Sequence, residues 1–306
     1  MEITIDSRFD GRTVKDWLYQ NGVSRALITR LKRSEDGITV NGSRVTVRYA
    51  LRAGDILSLG IADSRDDVNE LLAATEMPLD IIYEDERMIA VNKPAGIPTH
   101  PSHGHFDDTL ANGLKFLFDR RGLPFVFRAV NRLDRDTSGI VLAAKDQYSA
   151  SLLTGLMREG RIRKTYIAFL NGIPEPRSGV IDRPIRRARE TIILRETCDI
   201  SAPGAKEALT EYETLAVGED CSMVRAEPIT GRTHQLRVHF SDIGTPIAGD
   251  GLYGSAESSP TPLDLRLTRH ALHAAGLKIE TDTGTITLRA PLPEDMETIR
   301  TSLFNN

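Results

Sequence analysis

Apolar residues recur at helical spacing near the start of the chain and at strand spacing through most of the rest. Val14, Trp17 and Leu18 keep helical steps, and Leu27, Ile28 and Leu31 repeat them after Ser24, a residue type that caps helices. Gly37 follows the basic end of this second segment, where a left-handed C-terminal residue is expected. Ile38 and Val40 then alternate into Asn41-Gly42, a hairpin signal, and Val45 and Val47 return. Arg52-Ala53-Gly54-Asp55 turns the chain into a strand over Ile56-Leu57-Ser58-Leu59. Residues 1–60 thus predict a small unit of helix, helix and hairpin.

Residues 61–76 are polar and acidic, with only Val68, Leu71 and Leu72 as an apolar face, and predict an exposed linker with a helical turn or two. From Leu79 onward, short apolar strands alternate with helices over Asp108 to Phe118 and Asp146 to Met157, so residues 77–306 predict a mixed α+β domain. Ile140-Val141-Leu142-Ala143-Ala144 has the continuous apolar character of a buried strand. Lys164-Thr165-Tyr166-Ile167-Ala168 reads as a strand with Lys164, Tyr166 and Ala168 on one face, and Leu236-Arg237-Val238 as a further strand. Neither an internal repeat nor a low-complexity segment interrupts the pattern.

A chain of 306 residues can bury one sizeable core and still carry a small accessory domain. Its 40% hydrophobic and 27% charged residues are ordinary for a globular protein. Met1-Glu2-Ile3-Thr4-Ile5-Asp6 lacks the basic start and apolar core of a secretory signal, and no apolar run approaches the roughly eighteen residues of a membrane span. Cys198 and Cys221 form no disulfide framework or repeated ligand spacing, which suits a reducing cytosol.

The net charge of -4 argues against a polyanionic partner only until its distribution is considered. Between Arg25 and Arg52, seven basic residues (Arg25, Arg30, Lys32, Arg33, Arg44, Arg48 and Arg52) face only Glu35 and Asp36. Ten basic residues between Arg158 and Arg195 outnumber four acidic ones. Asp63, Asp66, Asp67, Glu70, Glu76 and Asp80 separate the clusters, with Arg65 the lone base. Basic surfaces on either side of an acidic linker suit RNA contact by two modules.

The densest chemistry lies in Asn131-Arg132-Leu133-Asp134-Arg135-Asp136-Thr137-Ser138-Gly139. A carboxylate just before a buried strand is fixed by that strand yet can face a cleft, and flanking arginines favour its charged, nucleophilic form. His100, His103 and His105 sit in a turn-rich loop without a clear set of further ligands, so a loop beside a cleft is expected there and no metal site. The chain has no Gly-rich dinucleotide or phosphate-binding signature, and no cofactor is expected.

With Thr230-Gly231-Arg232-Thr233-His234-Gln235-Leu236-Arg237-Val238-His239, Gly244-Thr245-Pro246-Ile247-Ala248-Gly249-Asp250, Tyr253-Gly254 and Arg269-His270-Ala271-Leu272-His273-Ala274, this loop resembles the RluA-type pseudouridine synthases. Val91-Asn92-Lys93-Pro94-Ala95-Gly96 and Ala290-Pro291-Leu292-Pro293 extend the resemblance, which covers about Leu79 to Met296. Asn131 departs from it, standing where the family signature usually has His.

The resemblance implies a bent, largely antiparallel mixed sheet with an active-site cleft across one face, and an isomerase that needs no cofactor. It implies Asp134 as the group acting at the ribose centre, either by attacking C1′ or by removing a neighbouring proton. Arg237 would pair with Asp134, with a purely structural ion pair as the alternative, and Tyr166 would stack on the base, with proton removal from C5 as its second role. Arg132 would fill the space left by the flipped nucleotide; its bland alternative is an ion pair with Asp136. Lys164 would contact phosphate or only snorkel along apolar surface, Arg232 would contact RNA, and His234 and His239 would orient backbone or contact RNA. Residues 11–60 resemble the small RNA-binding domain first known from a ribosomal small-subunit protein, with Arg25, Arg30, Lys32, Arg33 and Arg44 on its basic side.

Ribosomal large-subunit RNA is the expected substrate, with transfer RNA as an alternative, and the expected setting is a cytoplasmic monomer without membrane contact. A noncatalytic RNA-binding or ribosome-assembly factor on the same scaffold, and a nucleoside glycosidase, are the competing functions. The intact Asp134, Tyr166 and Arg237 argue against the first, and the N-terminal unit against the second.

Overall fold

The computed structural model describes residues 1–61, 71–188, 191, 193–254, 261 and 263–304. Helices Val14–Gln20 and Arg25–Arg33 form where the apolar spacing predicts them. Thr13 and Asp16 close a reciprocal capping box on the first, and Ser24 Oγ accepts from Leu27 N on the second. A four-stranded sheet runs in the order Glu2–Thr4, Ile56–Leu59, Ile38–Val40, Ser43–Arg44. Asn41 (φ 49°) and Gly42 (φ 76°) are both left-handed, as a two-residue turn between twisted strands requires. The apolar helix faces bury against Ile38, Val40, Leu57 and Leu59 in one core. Each large side chain buried there contributes roughly 1.5–3 kcal/mol.

Gly37 corrects an expectation. The helix ends at Ser34, and Gly37 lies outside the left-handed region. A side chain at Gly37 would run into the Leu31 carbonyl, so glycine serves a close backbone approach there.

Of the expected linker, residues 62–70, with Asp63, Arg65, Asp66, Asp67, Val68 and Glu70, lie outside the described residues. Its far end is held down. Asn112 Nδ2 donates to the Ala73 carbonyl at 2.8 Å, and Thr75 N donates to the Asn112 carbonyl at 3.2 Å.

The larger sheet has ten strands. Its main path runs Ser178–Asp182, Leu209–Val217, Cys221–Pro228, Ile162–Asn171, Leu272–Thr281, Ser138–Ala144, Met88–Lys93, Asp80–Glu84. Gly284–Arg289 pairs with Leu272–Thr281, and Arg128–Ala129 with Ser138–Ala144. Every described pairing in it is antiparallel except one, where His273 and Ala274 align parallel with Ser138 and Gly139. Gly139 has φ 110°, and a side chain there would collide with the Ala274 backbone. Only glycine lets the strands meet so closely. The α+β class and largely antiparallel sheet agree with expectation.

Ser138–Ala144 is buried throughout because both of its faces are covered. Val141 and Ala143 share a core with Leu110, Leu114 and Phe118 of helix Leu110–Arg120, capped by Thr109. Ile140, Leu142 and Ala144 share another with Leu153 of helix Gln147–Arg158, capped by Asp146. Leu236-Arg237-Val238, expected as a strand, belongs instead to helix Gln235–Asp242. All six residues from Gln235 to Phe240 are buried there, and Gln235, Arg237 and His239 have polar partners, so polar and apolar residues alternate and the helical period is masked. Among the described residues no helix is long and apolar enough to cross a membrane.

Candidate active site

The loop bearing Asp134 is held through its main chain at Leu133, Arg135 and Asp136 and through the side chains of Asn131, Thr137 and Ser138. Asn131 acts as a strand partner: Nδ2 donates to the Ile140 carbonyl at 2.9 Å, and Oδ1 accepts from Leu142 N at 2.8 Å. Thr99 Oγ1 donates to the Leu133 carbonyl at 2.9 Å and accepts from Leu133 N at 3.2 Å. The Arg135 carbonyl accepts from Lys93 Nζ at 2.9 Å and Gly96 N at 3.0 Å. Arg269 Nη1 donates to the Asp136 carbonyl at 3.1 Å. Thr137 Oγ1 meets His270 Nε2 at 2.8 Å, and Ser138 Oγ meets His273 Nδ1 at 2.9 Å. The Asp134 side chain, 22% exposed, is left facing a cleft.

Burial pulls the Lys93 ammonium down to about 7, against the attraction of Asp136 and Asp134. Burial likewise lowers His270 and His273 to about 4, so both rings are neutral near pH 7. A neutral ring offers one donor and one acceptor, which matches the hydroxyls it meets.

The cleft has a volume of about 630 Å³ and brings together Asp134, Tyr166, Arg237, Arg132, Lys164, Arg232 and His234. His100 lines the same cleft and packs edge-on against Phe127, with ring centroids 5.0 Å apart. His105 instead pairs with Asp108 at 2.6 Å. Among the described residues no cluster of three or more His, Cys, Asp or Glu could hold a metal ion.

Arg237 does more than pair with Asp134. Nε and Nη2 grip both Asp250 oxygens at 2.6 and 2.7 Å, while Nη1 makes a longer contact of 3.4 Å to Asp134 Oδ2. The Tyr253 ring packs on the guanidinium, 5.0 Å from its centre. Burial pushes the Asp250 carboxyl up, but the Arg237 hydrogen bonds outweigh it and hold the group below the usual carboxylate range.

His234 starts the helix in the left-handed region, with φ 59° and ψ 18°. Its Nδ1 bonds the Tyr253 hydroxyl at 2.7 Å, and Nε2 stands 3.9 Å from Asp134 Oδ2. Burial lowers its pKa against the pull of Asp134. Tyr166 is buried at the cleft wall; burial, then the Asp134 charge, pushes its phenol far above the usual value. Lys164, lowered by burial, has no hydrogen-bond partner among the described residues.

Arg132 is exposed at the cleft, and its guanidinium makes no hydrogen bond or ion pair among the described residues. Asp136, its expected alternative partner, is held by Arg135 at 3.1 and 3.0 Å. The Arg232 Nε donates to the Glu207 carbonyl at 2.7 Å. In the N-terminal unit Arg25, Lys32, Arg33 and Arg44 are exposed, whereas Arg30 Nη2 donates to the Gly60 and Ile61 carbonyls, each at 3.2 Å. None of these five lines the cleft.

Asp250, Tyr253, His270 and His273 had no role in the sequence reading. Their pairing spans distances that no periodicity reports.

Residues 87–242 match the family model of RNA pseudouridylate synthase. The chain is 35% identical to an uncharacterized RNA pseudouridine synthase of Bacillus subtilis, over 93% of this chain and 96% of that protein. It is 33% identical to the ribosomal large subunit pseudouridine synthase D of Zymomonas mobilis, over 89% of each. The solved structure of human RNA pseudouridylate synthase domain containing 1 matches with a TM-score of 0.57 and 31% identity, over 70% of this chain and 83% of that one. With sequence and fold in agreement, the chain belongs to the RNA pseudouridylate synthases, an enzyme family, in its RluA-type branch.

Proposed function

We propose that this enzyme isomerises uridines of ribosomal large-subunit RNA to pseudouridine, with Asp134 as the group that acts at the ribose centre. The observation that carries the reading is the setting of Asp134: the main chain of its neighbours is pinned, Leu133 by Thr99 and Arg135 by Lys93, and its carboxylate faces the cleft beside Arg237, His234 and Tyr166. Ribosomal RNA is favoured because related chains bear that substrate in their names.

The reaction breaks N1–C1′, turns the base and joins C5 to C1′; C5 loses a proton and N1 gains one. No electron is transferred. Arg237 orients Asp134 through its third donor. Tyr166 serves by its ring face, since a phenol pushed so far up supplies no phenolate near pH 7. Arg132, exposed and unpaired among the described residues, fills the gap left when the uridine leaves its stack, a step that costs a few kcal/mol. Lys164 and Arg232 meet phosphates at the cleft. Arg25, Lys32, Arg33 and Arg44 hold a second stretch of RNA. One chain carries all these parts, and the proposed setting is a cytoplasmic monomer.

Pseudouridine maps of cellular ribosomal and transfer RNA, with and without the gene, test the reading. The expected result is loss at one or a few large-subunit uridines, restored by the intact gene. Loss confined to transfer RNA would overturn the substrate assignment.

A further inference from the structure

Helix Gln147–Arg158 touches both functional parts of the molecule. Its first half holds the N-terminal unit. Tyr148 is 7% exposed and belongs to the buried cluster that contains Val14, Leu18, Val23 and Leu27. Ser151 Oγ donates to the Gly22 carbonyl at 2.7 Å, and Leu152 packs against the same cluster. Gly22 has φ 72°, and a Cβ there would lie 3.0 Å from Leu152 Cδ2. The other end of the helix reaches the cleft, where Met157 and Arg158 form part of the lining.

Both ends of this connection are short. Gly22 is followed by Val23 and by Ser24, the cap of the basic helix Arg25–Arg33. On the other side, Asp146 caps the docking helix directly after strand Ser138–Ala144, which itself follows the Asp134 loop. Tyr148 and Arg158 are about 15 Å apart along a helix with a rise of 1.5 Å per residue. A rigid element of that length fixes the basic helix relative to Asp134.

We infer that Tyr148, Ser151 and Leu152 are specificity-determining residues: their contact with the Asn21–Gly22 turn and the cluster behind it sets the distance between the RNA gripped by helix Arg25–Arg33 and the uridine that enters the cleft. They touch neither RNA nor the reacting atoms. They act by register, as a ruler between a grip and a reaction centre. A loosely tethered unit would raise the local concentration of RNA without choosing a uridine, whereas a docked unit admits only uridines at the matching span. The inference rests on the proposal that the N-terminal unit grips RNA.

The experiment uses the full chain and an unmodified large-subunit ribosomal RNA transcript, with modification read at every uridine. Gly22→Asn inserts a side chain against Leu152 while keeping a residue that tolerates the left-handed region. Leu152→Glu breaks the same contact from the other side. Small-angle scattering confirms release of the N-terminal unit. Both variants should keep summed turnover within about threefold of the parent, yet shift the ratio of target to other uridines by about tenfold or more. A released variant that modifies uridines in the parental ratio overturns the inference.

Arg25→Gln/Lys32→Gln/Arg33→Gln separates this result from failure of the underlying reading. That variant should bind the transcript more weakly and with a shallower salt dependence. If its affinity and salt dependence match the parent, the N-terminal unit does not grip RNA, and the ruler falls with it.

Discussion

Arg237 grips Asp250 with two short hydrogen bonds, 2.6 Å from Nε and 2.7 Å from Nη2, and has only Nη1 left for Asp134. The carboxylate that orients the arginine is fully buried, while the one it serves is partly open to the cleft. A bidentate pair fixes the plane of the guanidinium, so the third donor is aimed before any substrate arrives. Leu252 N and Tyr253 N donate to Asp250 Oδ1 at 2.9 and 3.1 Å and fix the carboxylate in turn. Asp134 is therefore held by a relay that begins in the core.

Replacing Asp250 by Asn should damage folding and rate together. The variant removes the one fully buried carboxylate that the guanidinium grips with two hydrogen bonds, a loss of about 3–5 kcal/mol in comparable pairs. Urea unfolding should show that loss. Single-turnover modification at saturating RNA should fall by about a hundredfold, with the RNA affinity little changed. Parental stability and rate in Asp250→Asn would remove the relay from the account.

The buried histidines predict a loss of stability in mild acid. His270 and His273 titrate near 4 in the folded protein, below the ordinary value of about 6.5. Between those values the unfolded chain takes up protons that the folded one refuses. Their contribution is therefore complete above about pH 6.5 and is lost as pH falls through about 4, with a combined slope of at most about 2.7 kcal/mol per pH unit. Urea midpoints measured from pH 7.5 to 4.5 should follow that fall. His273→Asn, which can still accept from Ser138, should flatten the curve by up to one proton; an unaltered slope would contradict the assignment.

Tyr166 separates stacking from proton transfer. Its buried phenol is pushed far above its usual pKa, so its ring should matter more than its hydroxyl. Stacking on a base is worth about 1–3 kcal/mol. Tyr166→Phe should therefore outpace Tyr166→Ala by about tenfold or more in single-turnover assays at saturating RNA. Equal loss in both would make the hydroxyl the working part.

Much of this was legible in the chain because the relevant signals are local. Thr13, Ser24 and Asn41-Gly42 act within a few residues of themselves, and the helices and hairpin of the N-terminal unit follow from them. The alternation around Tyr166 survives in strand Ile162–Asn171 because successive side chains point to opposite faces: Tyr166, Ala168 and Leu170 enter one core, and Ile167 and Phe169 pack with another. Leu236-Arg237-Val238 reads as a strand for the opposite reason: the helix is buried over six consecutive residues in which polar and apolar side chains alternate, so it carries no helical apolar period. Asp250 was quoted but given no role, since its pairing with Arg237 depends on a turn that spacing does not encode. Asn131, standing where the family signature usually has His, is bound to the backbone at Ile140 and Leu142, a contact that spacing does not report.

The central claim is that the Asp134 carboxylate does the chemistry, and one measurement tests it most directly. Asp134→Asn keeps the size of the side chain, and the loop is held at Leu133, Arg135 and Thr137 on either side of it, so the variant should unfold at the parental urea concentration. Single-turnover incubation with saturating large-subunit ribosomal RNA transcript should then yield pseudouridine at least about a thousandfold more slowly than the parent. Pseudouridine formed by the folded Asp134→Asn protein at a rate near the parental one would contradict the account.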